Sequence, residues 1–73
     1  MNIIEAQTGV IINQNNITSI GQQEDSIIAY TLDNAKHYIY TASSEVELDS
    51  AMSFVKCCLK DNENVFMDKF NLF

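Results

Sequence analysis

The chain has 73 residues, enough for one small core and for no second domain or repeat array. Its apolar fraction of 47% with 19% charged residues excludes a disordered chain. Ten acidic residues against four basic ones leave a net charge of −6, which repels phosphate backbones and anionic lipid surfaces and argues against nucleic acid or a membrane as partner.

The start, Met1-Asn2-Ile3-Ile4-Glu5, lacks the basic region and apolar stretch of a signal peptide, and no apolar run approaches a membrane-spanning length, so a cytoplasmic protein is expected. Residues 2–42 read as short β segments. Asn2–Ala6 and Val10–Asn13 are rich in Ile and Val, and Gln7-Thr8-Gly9 between them places a glycine where a three-residue hairpin needs a left-handed residue. Gln14-Asn15-Asn16 is a polar turn before a further β-like stretch at Ile17–Ile20, and Glu24-Asp25 makes the next turn. Ser26–Leu32 and His37–Ala42, β-branched and aromatic, form the clearest strands, joined by a hairpin loop at Asp33–Lys36.

Residues 44–60 read as an amphipathic helix. Ser44 and Glu47 have capping-box spacing, in which the serine side chain bonds the N3 amide and the glutamate reaches back to the cap. Leu48, Ala51, Met52, Val55, Cys58 and Leu59 recur at intervals of three and four on one stripe, which predicts Cys58 at the core edge and Cys57 exposed. The expected fold is therefore α+β: a β-meander of four or five antiparallel strands over residues 1–42, the helix across one face, and an apolar tail over residues 65–73.

That tail is unusual, because chain ends are ordinarily polar. Phe66, Phe70 and Phe73 are spaced so that a helix would align them. Two readings stand: the tail folds back into the chain's own core, or Phe66, Met67, Phe70, Leu72 and Phe73 form an interface with a second copy or another protein.

Reactive chemistry is sparse. His37 has no second histidine or cysteine at metal-ligand spacing, and no nucleophile elbow accompanies it. Adjacent Cys57 and Cys58 point about 100° apart on a helix and cannot bridge. Asp61-Asn62-Glu63-Asn64 lacks the glycine and distal glutamate of a calcium loop, and Gly9 and Gly21 cannot build a phosphate loop. Asn16-Ile17-Thr18 matches a glycosylation triplet that matters only in a secreted chain. No enzyme and no cofactor are expected.

The run Gly9, Val10, Ile11, Ile12, Asn13, Ile17, Ile20, followed by an Ile-rich strand, a polar turn with Lys36, a Tyr/Ile strand, Ser44 and an acidic amphipathic helix, resembles the small FlbD-like domains encoded beside flagellar genes. The resemblance covers residues 1–60. It implies a compact antiparallel sheet with one helix and a non-enzymatic accessory role. Gln14 stands where that family has proline, Asn34-Ala35 where its hairpin glycine is expected, and the tail from Val65 has no counterpart. The expected function is a small cytoplasmic protein-interaction module of bacterial or phage type; the alternative is an acidic inhibitor or decoy whose carboxylates cover a basic nucleic-acid-binding surface.

Overall fold

A computed structural model of the chain describes residues 2–70. It has the α+β class expected, but the strands form two sheets of three rather than one of four or five. The first holds β1 (Ile3–Glu5), β2 (Ile11–Asn13) and β6 (Val65–Phe66) in the order β2-β1-β6; the second holds β3 (Ile17–Gln23), β4 (Ser26–Thr31) and β5 (Lys36–Thr41) in the order β3-β4-β5. Between β5 and β6 lies the single helix among the described residues longer than one 3₁₀ turn, α1 (Glu45–Lys60). It is not apolar and long enough to cross a membrane.

The correction has a local cause. Ala6 and Val10 close the first hairpin, with Gly9 at φ +94, as the glycine spacing required. After β2, however, a 3₁₀ turn over Gln14–Asn16, capped by the Asn13 side chain, redirects the chain, so that β3 leaves the first sheet instead of extending it. The place beside β1 is taken by β6, which runs parallel to it with Ile4 opposite Val65.

Helix α1 begins as its capping residues dictate: Ser44 Oγ accepts from the Glu47 amide at 3.1 Å. The glutamate reaches back one residue further than a standard capping box, accepting from the Ser43 amide at 2.7 Å. The helix ends in a Schellman motif. Asn62 adopts φ +61, and the Asn62 and Glu63 amides donate to the Leu59 and Cys58 carbonyls. This turn aims the chain back along β1.

Amide side chains then fix that return. Asn2 Nδ2 donates to the Asn62 carbonyl, Asn64 Oδ1 accepts from the Ile3 amide, and Gln14 Nε2 donates to both Ile3 and Glu63 carbonyls. The Asp61–Asn64 loop is thus a structural clasp.

The two sheets and α1 enclose one core, in which Ile4, Ile27, Ile39, Val55, Val65 and Met67 are the most completely buried of the larger side chains, with Leu48 and Tyr40 beside them. Leu48, Ala51 and Val55 are the buried residues of the helix stripe, with Met52, Cys58 and Leu59 packed on its margin. A register shift between Ile27 and Ile28 lets both Ile39 and Tyr40 turn inward on β5.

Candidate interaction surfaces

The tail residues singled out in the sequence are divided by the fold. Met67 is 2% exposed and belongs to the core; Phe66 is half-buried at the end of β6, with the Lys69 ammonium 5.1 Å from its ring centre. Phe70 packs edge-on against Tyr40 and tilted against Phe54, both at 5.5 Å between ring centres. The segment is a strand followed by a 3₁₀ turn at Met67–Lys69, not the helix that the spacing of Phe66 and Phe70 suggested. Leu72 and Phe73 lie outside the described residues.

A different apolar group is exposed. Val10, Ile11 and Leu32, the last two 59% and 68% exposed, line an open groove of about 390 Å³ between β2 and the β4–β5 turn. The ladder explains why this side is open. Ala6 donates to Val10 and Gln14 to Asn2, so by antiparallel alternation the Ile11 amide and carbonyl point away from β1, toward the groove.

Thr31, Asp33 and His37 form one polar wall of the groove, and Asn13 and Asn16 also line it. The Thr31 hydroxyl donates to Asp33 Oδ1, which also accepts from the Ala35 amide at 3.3 Å. Those two bonds hold the Asp33 carboxyl below its ordinary range. Thr31 Oγ1 also lies 3.4 Å from both the Ala35 carbonyl and His37 Nε2, within hydrogen-bond reach of each. This arrangement clamps the turn, where Asn34 takes φ +65, around a buried Thr31. Among the described residues, no three His, Cys, Asp or Glu side chains converge on a metal-sized site.

On the helix, burial pushes the Cys58 thiol up, reinforced by Glu63, Cys57 and Asp61, while Cys57 is exposed as expected. Burial likewise raises the Tyr40 phenol, helped by the Glu47 carboxylate.

The outward face of the second sheet carries Tyr30 and Tyr38 around Ile28, which is fully buried though it faces away from the core. The Tyr30 ring leans over Gly21, with Cε2 3.3 Å from where a β-carbon would stand. The Lys36 ammonium sits 5.8 Å from the Tyr38 ring centre.

A sequence signal for these surfaces was present and lay outside the hydrophobic patterns. No charged residue occurs between Glu5 and Glu24, the stretch that contains both β2 and β3. Compared with family models, characterised proteins and solved structures, the chain matches none.

Proposed function

We propose that the chain is a small non-enzymatic protein-interaction module of bacterial or phage type, acting in the cytoplasm through the groove beside β2. The observation that supports this reading is the gathering of Val10, Ile11 and Leu32 at one open groove, bordered by outward-pointing backbone groups of an edge strand. Such a groove accepts an extended segment of another chain, with main-chain bonds supplying affinity and the apolar side chains supplying selectivity. Charge is a minor element of it, since Asp33 is the groove's one carboxylate.

Leu32→Lys tests the reading, because a side chain so exposed can be replaced without loss of fold. Complexes captured by the wild-type protein from extracts of the cells that make it, across a salt series, are expected to survive high salt and to disappear with Leu32→Lys. Equal capture by both proteins would overturn the groove, and partners lost steeply with salt would point to the acidic-decoy mode instead.

A further inference from the structure

We infer that Lys36 is a strap across the outer face of the β3-β4-β5 sheet: fastened to Gln23 it shuts Ile28 away from water, and released it uncovers an apolar slot between Tyr30 and Tyr38. This face is separate from the groove, and the strap does not rest on the interaction-module reading.

The strand register sets the geometry. Gln23, Ser26 and Thr41 stand side by side across the sheet; Gly21, Ile28 and Tyr38 form the next outward row, and Ser19, Tyr30 and Lys36 the last. The Ser26 and Thr41 hydroxyls, 3.1 Å apart, lie on the same side. Ile28 is thus the centre of the face, with Lys36 and Gln23 at opposite corners. Lys36 Nζ nevertheless donates to Gln23 Oε1 at 2.9 Å. On an untwisted sheet those corners would stand about 16 Å apart, so both side chains must reach toward each other, and the bridge between them crosses the centre.

Burial agrees with that path. Ile28 is fully buried, yet it is not among the side chains of the core that α1 and the two sheets enclose, so its cover lies on the outer face. The Tyr30 ring leans over Gly21, where the missing β-carbon leaves room for it. Tyr38 stands on the other side, and Lys36 Nζ passes 5.8 Å from its ring centre. Between the two rings the lysine's methylene stem closes the space above Ile28 while its ammonium stays in water.

The strap is lightly fastened. One exposed hydrogen bond to a neutral amide and a cation–π contact near the outer limit of its range hold it, and the outward residues of this face include no carboxylate to hold it more firmly. Against these stands the rotamer freedom that an extended lysine gives up, so the closed form is favoured only modestly. Opening adds Ile28 to tyrosines that are already 37% and 49% exposed.

In proton NMR spectra of the unaltered chain, the Lys36 methylenes are expected to show contacts to the Ile28 methyl groups and upfield shifts from the flanking rings, neither of which exposed Lys56 shares. Lys36 methylenes at ordinary positions, without contact to Ile28, would overturn the strap, and this readout decides the matter even where a variant fails to fold. Lys36→Ala is expected to raise binding of a neutral apolar dye several-fold, Gln23→Ala to raise it less, and Lys36→Arg, which still reaches Gln23, to leave it near the starting level. Lys56→Ala controls for the lost charge and is expected to have no effect. A folded Lys36→Ala chain that binds no more dye than the unaltered protein, or a Lys56→Ala chain that gains as much, would also overturn the strap. The gain is expected to persist when Lys36→Ala is combined with the groove variant Leu32→Lys; its disappearance there would place the dye in the groove and reject the slot.

Discussion

The two sheets of this small protein are made in opposite ways. The β3-β4-β5 sheet pairs strands that follow one another along the chain, each joined by a short turn. The β2-β1-β6 sheet sets Ile4 beside Val65, so that it exists only once both ends of the chain have met. The first is assembled from local contacts whose closure cost is small; the second requires a loop spanning most of the molecule, and its stability comes from what lies at the join. At that join stand Val65 and Met67 in the core and the amide clasp of Asn2, Gln14 and Asn64 outside it.

The sharpest way to break this contrast is Met67→Ala. Removing a buried methionine costs about 2–5 kcal/mol, a large part of the stability of so short a domain. Because Met67 shares one core with Ile27 and Ile39 of the other sheet, urea unfolding followed by amide exchange is expected to show both sheets lost in a single transition. Loss of protection confined to β1, β2 and β6 would instead divide the molecule into two units.

That contrast also marks what the sequence made legible. Gly9 in its hairpin, the β4–β5 pair and the Ser44-capped helix are all written in residues close together, and each forms as its local chemistry requires. The parallel partner of β1 is not, because no periodicity in Val65-Phe66 distinguishes a two-residue strand from a helical turn. The exchange of partners at Gln14–Asn16 was hidden for the same reason: a polar turn announces a change of direction without saying which sheet the next strand joins. The groove depends on that change, so the sequence offered the tail residues as candidate core or interface and could not point to Val10, Ile11 and Leu32. Seeing a charge-free interval was possible; knowing that it held two sheet edges was not.

A smaller effect is expected in the local sheet. Glu24 adopts φ +55 in the two-residue turn between β3 and β4, where a side chain costs about 1–2 kcal/mol relative to the right-handed region. Glycine relieves that cost but gains freedom in the unfolded chain, so Glu24→Gly is expected to stabilise the protein by up to about 1 kcal/mol in thermal or urea unfolding. If the substitution destabilises, interactions of the Glu24 side chain outweigh its backbone strain.

The smallest perturbation reads the join without altering it. Cys57 and Cys58 are neighbours on α1, yet Cys57 is exposed while Cys58 packs at the margin of the core, its carbonyl accepting from the Glu63 amide in the turn that leads to the clasp. Burial raises the Cys58 thiol above its ordinary value of 9.0, and the carboxylates of Glu63 and Asp61 add to the shift. The thiolate is the reactive form, so at pH 8 a thiol reagent is expected to modify Cys57 first and Cys58 only slowly. The sign of the linkage follows: with the folded value raised, any stability tied to the protonated thiol is complete below pH 9 and is lost as pH rises through the folded value. Labelling of Cys58 should therefore accelerate with alkalinity as its thiolate fraction rises. Met67→Ala, by weakening the same join, is expected to speed Cys58 labelling at fixed pH while leaving Cys57 unchanged. Equal rates at the two cysteines in the unaltered protein would place Cys58 outside the protected margin and remove the helix face from the account of how the chain's ends are held together.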